Sequence, residues 1–410
     1  MEKIVITGLG AVSPIGNDVA TAWKNAKEGV SGVAPITYFD ASDFLVKVAA
    51  EVKNFNPEDY LPAREARRRD RYELFSAAAV QEALKHSGLE ITEENAARVG
   101  VVISSAIGGL TSLEENHRDL LREGPRKVSP FLIPMLMSNG ASGLVGIDHG
   151  AKGPSFSVAS ACASGQDGIG MAWMMLRAGM IDAAVAGASE STISPVGVAS
   201  FDRLGACSRR GMGEGAPSPF DKDRDGLVVG EGCGILVLET ESHARARGAE
   251  ILAELAGYAS TADAFHITAP HEEGLGGSKA MRLALESAGA NIEDVDYINA
   301  HGTATPLNDK SETLAIKAAF GEQAYKVPIS STKSMTGHMM GATGALETVF
   351  CVQVVREGVI PPTINYRTPD PECDLDYVPN EARQKTVKLA ISNAFGFGGH
   401  NAVLAVRRYR

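Results

Sequence analysis

Short runs rich in valine, isoleucine and alanine, each closed by glycine, serine or proline, alternate with longer stretches of helical period along this chain. That alternation constrains the fold more than any other feature, because it is the pattern of strands and helices layered in an α/β protein. The runs KIVITGL, VGVVISS, SFSVASA, AAVAGAS and CGILVLE occupy the first part, and AELAGYAS, VDYINAH, VPISS, KLAISNAF and AVLAVRR the second. They predict a parallel, largely buried sheet. Helices are expected over 64–87, 166–178, 278–288, 310–320 and 344–357, with glycine after several of them, as in KHSG and VREG, where a left-handed residue closes a helix. Both parts look like strand–helix layers of comparable order, so a duplication divided near Gly248 is expected, with halves 1–250 and 251–410. The loop 201–225 is too long for an ordinary connection and is expected to be a surface or site-covering loop and not a domain linker.

With 410 residues and 44% hydrophobic composition, the chain can bury a large core. The net charge of −11 argues against a general nucleic-acid binder, although one basic face can persist within it. Five cysteines, odd in number and without CxxC or metal-finger spacing, suit a reducing compartment. The chain opens directly into KIVITGLGAV without a basic, then apolar, leader, and its apolar runs are too short or interrupted to span a bilayer, so a cytoplasmic location without membrane insertion is expected.

Cys162, in VASACASGQDGIG, falls at the expected turn from strand to helix among small neighbours. Unpaired backbone N–H groups and the helix dipole favour a thiolate there and are expected to lower the thiol pKa. Ala161, Ala163, Ser164 and Gly165 leave room for a carbonyl to approach the sulfur. A buried cysteine can equally be a small apolar residue, which is the reading for Cys207, Cys233, Cys351 and Cys373. Three further segments bear on the choice. YINAHGTATPLND places His301 at the carboxyl end of a strand, where open α/β sheets gather ligands, and SSTKSMTGHMMGATGALE carries Lys333 and His338. SNAFGFGGHN permits a tight turn with amides pointing inward. An elbow thiol, two histidines, a lysine and a glycine-rich donor turn form a set that few functions require.

The segments ACASG, HGTATPLNDKSE, STKSMTGHMMGATGALE and NAFGFGGHN, in this order and spacing, closely resemble the signatures of the elongating β-ketoacyl-acyl carrier protein synthases, the type II branch above all. The resemblance runs from VITGLGAVSPIG through PFDKDRDGLVVGEG to IPPTINY. It implies a thiolase-like fold, two similar halves in a five-layered α-β-α-β-α arrangement, as a homodimer. It also implies a decarboxylating Claisen condensation with no required cofactor. Cys162 then resembles the acylated nucleophile, and His301 and His338 the pair acting on the malonyl thioester. Lys333 resembles their supporting cation, with Glu312 as its partner. The amides of Cys162 and Phe397 resemble an oxyanion hole. Ile107, Thr268, Thr303, Thr305 and Phe395 match positions that meet the substrate, Ile107 by projecting into the acyl pocket. Asn299, Glu347, Ser392 and Asn393 match positions around a structural monovalent cation, sodium or potassium, which hard oxygen ligands suit.

REARRRDR concentrates Arg64, Arg67, Arg68, Arg69 and Arg71, and GPRKVS adds Arg126 and Lys127. The partner implied is an acidic acyl carrier protein, docked on Arg64, Arg67, Arg68, Arg126 and Lys127. A thiolase would carry a second cysteine where this chain has FGFGGHN, and a starter-unit enzyme would carry histidine and asparagine in place of His301 and His338. A silent chain-length-factor subunit would lack Cys162. A discrete polyketide ketosynthase shares every one of these residues.

Overall fold

A computed structural model describes residues 2–409. Its largest sheet has ten strands, and the order of those strands is the same twice over. From the middle outward, one side runs Ile4–Val12, Glu231–Thr240, Ala183–Ser191, Val99–Ser104 and Ser155–Phe156. The other runs Ala253–Ala262, His400–Arg407, Leu389–Gly396, Tyr297–Asn299 and Ile329–Ser330. On both sides the two inner steps are antiparallel and the two outer steps parallel. The sides join where Val5 and Ile6 pair with Glu254 and Ala253.

The sheet is therefore mixed, which corrects the parallel sheet expected from the sequence. Apolar runs signal burial on both faces, not strand direction. Here Leu389–Gly396 and His400–Arg407 form a hairpin across Phe397–Gly399, and such a short link permits only antiparallel pairing.

Alternate residues of each strand explain why both faces are apolar. Val185, Ile235 and Val237 pack outward with Phe75 and Ala79 of the helix Arg71–Ser87, while Ala184, Ala186, Leu236 and Leu238 face Ile169 and Trp173 of Ser164–Arg177. In the second side, Ala390, Leu404 and Val406 face Leu346 and Phe350 of Thr343–Glu357, while Ile391 and Val403 pack outward with Met281 and Ile316. Helix, sheet, paired central helices, sheet and helix are the five layers. The central helix Thr343–Glu357 is buried from Thr343 through Val355, so its hydrophobic pattern has no polar face.

Two boundaries moved. The helix expected over 64–87 breaks before Asp70, whose side chain accepts from Tyr72 N–H while Glu73 accepts the Asp70 N–H at 2.8 Å, a capping box that starts a new helix at Arg71. SFSVASA is a strand only at Ser155–Phe156, because beyond it the chain leaves the sheet for the cysteine turn. No helix among the described residues is long and apolar enough to cross a membrane.

Candidate active site

Cys162 lies one turn before the helix Ser164–Arg177, with Ala161 in the left-handed region at φ 51°. A residue with a Cβ pays for that conformation, so surrounding contacts must hold it. Ser160 N–H donates to Ser164 Oγ at 2.9 Å, and the Ser160 hydroxyl donates to Asp167, which also accepts from the Tyr258 phenol at 2.7 Å. The hairpin strand crosses close above. A Cβ on Gly396 would stand 2.7 Å from Ser160 O and 3.0 Å from Cys162 N, so only glycine lets the Phe397 amide reach the thiol.

His338 Nε2 stands 3.1 Å from Cys162 Sγ, and its ring is 5.4 Å from that of His301. The Phe395 ring lies 5.9 Å from His301 on the other side. His338 Nδ1 meets the Thr343 hydroxyl at 3.1 Å; since a hydroxyl can donate or accept, Nε2 is available in either tautomer. His301 Nδ1, in its buried setting, has no partner among the described residues. Burial, reinforced by the Lys333 charge, holds both imidazoles well below the ordinary histidine pKa, so both are neutral at pH 7.

The thiol behaves differently from expectation. Burial pushes Cys162 up to about 11, against the lowering by Lys333 and by the Phe397 amide. The elbow amides act as foreseen and Lys333 adds to them, but excluding water costs the thiolate more. A neutral thiol beside a neutral imidazole is the resting pair.

Lys333 is buried and pairs with Glu347 at 2.8 Å. This corrects the expected pairing with Glu312. The Glu312 carboxylate instead accepts the N–H groups of His301 and Gly302 at 2.8 and 2.7 Å and the Asn393 amide at 3.1 Å, so it shapes the turn that carries His301. It feels the Lys333 charge only at longer range.

Above these groups is a cavity of about 280 Å³ that Thr268, Thr303, Thr305, Phe395 and Phe397 all line. Thr305 caps the helix Pro306–Phe320, and its hydroxyl meets that of Thr303 at 2.9 Å. Phe201, Leu204 and Ala206 close one wall, so the long loop begins as part of the site. Ile107 does not line this cavity; it is 39% exposed on the turn after Val99–Ser104, where its amide donates to Glu190 at 3.3 Å.

Among the described residues, the buried oxygens Asn299 Oδ1, Asn393 Oδ1 and Glu347 Oε2 lack partners, the last on the carboxylate that pairs with Lys333. Ser392 pairs with Asn299 across the sheet and accepts from Gln166 at 2.8 Å. Unpartnered hard oxygens of this kind fit a monovalent cation.

Of the basic residues, Arg69 and Arg71 are internal, bound to Asp148 and Glu231. Arg64, Arg67 and Arg126 are exposed, with no carboxylate in ion-pair reach among the described residues. Arg68 stacks 4.7 Å over Phe131, and Lys127 pairs with Glu123 at 2.9 Å. Cys207, Cys233, Cys351 and Cys373 are buried away from this cavity. Sequence reasoning missed Thr343, Asp167 and Glu190. Thr343 stood five residues after His338, a signal within reach; the other two depend on contacts between distant segments.

The model of the β-ketoacyl synthase N-terminal domain matches residues 1–244, and that of the C-terminal domain matches 252–367. A 3-oxoacyl-[acyl-carrier-protein] synthase 2 of Staphylococcus aureus (strain COL) is 49% identical over 408 residues, covering 100% of this chain and 99% of the relative. One from Synechocystis sp. (strain ATCC 27184 / PCC 6803 / Kazusa) is 48% identical over 410 residues, with 100% and 99% covered. Among solved structures, a type II polyketide ketosynthase in complex with its acyl carrier protein superimposes with a TM-score of 0.92 at 36% identity, and a β-ketoacyl synthase from Burkholderia phymatum with 0.92 at 35%, each over all of both chains. The two domain models, the full-length identity and the thiolase-like architecture agree, and the chain belongs to the β-ketoacyl synthase family.

Proposed function

We infer that this protein is an elongating 3-oxoacyl-[acyl-carrier-protein] synthase, an acyltransferase of fatty acid biosynthesis that condenses an acyl group on Cys162 with malonyl carrier protein. The observation that carries this reading is the Cys162–His338 contact of 3.1 Å with His301 beside it, in a chain 49% identical along its length to enzymes of that name.

In the first half-reaction the thiol attacks the carrier thioester. His338 takes the thiol proton through Nε2 and returns it to the leaving carrier thiolate, and the amides of Cys162 and Phe397 hold the tetrahedral oxyanion. In the second, the malonyl group loses carbon dioxide and its electron pair forms an enolate, whose oxygen accepts from N–H groups of His301 and His338. Neutral imidazoles suit this step because they supply donors without a fixed charge. The enolate carbon attacks the acyl thioester, the bond to sulfur breaks, and Cys162 is released as the chain grows by two carbons. Lys333 supplies a positive field and Glu347 balances it; Thr303 and Thr305 offer hydroxyls to the incoming thioester arm.

The carrier docks on Arg64, Arg67, Arg68, Arg126 and Lys127, supported by the unpaired cations there and by the carrier-bound ketosynthase of similar fold. A second copy covers the open sheet edge at Ser155–Phe156, beside which Ile133 and Ile147 are 63% and 78% exposed. Asn299, Asn393, Glu347 and Ser392 would hold sodium or potassium that fixes the turns under Lys333. The similarity to polyketide ketosynthases supports a second reading, in a polyketide pathway. Acyl carrier proteins of graded length plus malonyl carrier protein separate the two: singly extended 3-oxoacyl products support the fatty-acid reading, and repeatedly extended poly-keto products the other.

A further inference from the structure

Glu190 is a fully buried carboxylate to which no step above gives a task. It stands near the end of Ala183–Ser191 and takes donors from two distant segments. From the turn after Val99–Ser104 it accepts the Ser105 hydroxyl at 2.6 Å, the Ala106 N–H at 2.8 Å and the Ile107 N–H at 3.3 Å. From the segment after His338 it accepts the Gly341 N–H at 3.1 Å. Ser105 Oγ accepts the Gly108 N–H at 2.8 Å, so Glu190 ties both ends of the Ser105–Gly108 turn, while the Ser105 N–H donates to Ser157 Oγ at 3.3 Å.

The two segments also touch. A Cβ on Gly341 would stand 2.8 Å from both Ala106 N and Glu190 Oε2, and one on Gly165, in the nucleophile's helix, 2.6 Å from Gly341 O. Gly341 is thus wedged between the Ile107 turn, the carboxylate and the first turn of that helix. Its neighbour Met340, at φ 45°, lines the cavity over Cys162. A carboxylate with its lone pairs occupied by N–H and O–H donors is rigid, and burial makes each bond costly to break. Burial also pushes its pKa up to about 7, while its donors oppose that rise.

We propose that Glu190 is a positioning residue that ties the Ser105–Gly108 turn to the His338–Gly341 segment, so that a change at Ile107 is transmitted to the histidine acting on the malonyl thioester. The proposal rests on the condensing-enzyme reading of the site. An acyl chain that presses on the wall at Met340 would then alter decarboxylation through this tie, linking the length of the bound chain to the rate of the following step.

The test is a cycle of Ile107→Ala in the Glu190 and Glu190→Gln backgrounds, read as decarboxylation of malonyl carrier protein by acyl-free enzyme. With Glu190 present, Ile107→Ala should change kcat on the order of fivefold with KM unmoved, since Ile107 is remote from the carrier arm. In Glu190→Gln the same substitution should leave kcat unchanged. Equal responses in both backgrounds, or none in either, overturn the proposal. If Glu190→Gln does not fold, Ser105→Ala, which removes one donor from the same carboxylate, serves as the second background with the same expected outcomes. Wild-type enzyme that fails to decarboxylate malonyl carrier protein would instead sink the functional reading itself.

Discussion

The two sides of the sheet place strand, turn and helix alike and arm them differently. After the edge strand Ser155–Phe156 the chain turns through Cys162 into the central helix Ser164–Arg177; after Ile329–Ser330 it turns through Lys333 and His338 into the central helix Thr343–Glu357. The inner parallel strands correspond too: Val99–Ser104 leads to Ile107, and Tyr297–Asn299 to His301. One repeated scaffold thus delivers a cysteine from one side and two histidines from the other to a single cavity. The edges differ as well. Ile329 and Ser330 are buried, with Ile329 N–H satisfied by Asp376 O, whereas Ser155 is exposed. One edge is sealed by its own chain, and the other is the edge where we place a second copy.

The most severe way to break the comparison is to remove the nucleophile. Cys162→Ala should lose condensation by at least about 10⁴-fold, as removal of a catalytic nucleophile does elsewhere, and should take up no acyl adduct by intact mass. Condensation near the wild-type rate would remove Cys162 from the mechanism.

The histidines sharpen it. Each alanine variant removes one enolate donor, worth ~3 kcal/mol or about a hundredfold in malonyl decarboxylation. Only His338 touches the sulfur, so His338→Ala should also slow acylation of Cys162 in stopped-flow measurements, and His301→Ala should not. Equal slowing of acylation in both would erase the distinction.

A smaller effect concerns the thiol. With its pKa raised to about 11 the protonated form dominates at pH 7, so alkylation by iodoacetamide should climb steadily from pH 7 to pH 10. A plateau reached by pH 7 would mean a thiolate at rest. Least of all, Arg67→Glu with Arg68→Glu should raise KM for carrier-linked substrates and weaken its salt dependence, while small pantetheine thioesters react as before. A similar loss on both substrate types would speak against docking.

The sequence made most strand positions and the residues that meet at the cavity legible, because apolar runs and glycine-marked turns are local signals. Cys162, His301 and His338 converge although 139 and 37 residues separate them in sequence, and it was the family resemblance, not spacing, that joined them. What stayed illegible were the choices made between distant groups. That Lys333 pairs with Glu347 and not Glu312 depends on how two central segments pack, and both carboxylates looked alike in the sequence. Burial of Cys162 outweighing its elbow, and the bond from the Ile107 amide to Glu190, likewise depend on the assembled layers. Strand direction failed for a related reason, since burial on both faces is silent about it.

The central claim is that Cys162 on one side carries the acyl group while the histidines of the other drive decarboxylation, with only His338 serving both steps, and His301→Ala tests it most directly. Incubated with dodecanoyl carrier protein and then malonyl carrier protein, this variant should show the dodecanoyl adduct on Cys162 by peptide mapping, persisting while the 3-oxo product forms about a hundredfold more slowly than in wild type. Absence of the adduct, or product formed at the wild-type rate, would contradict the account.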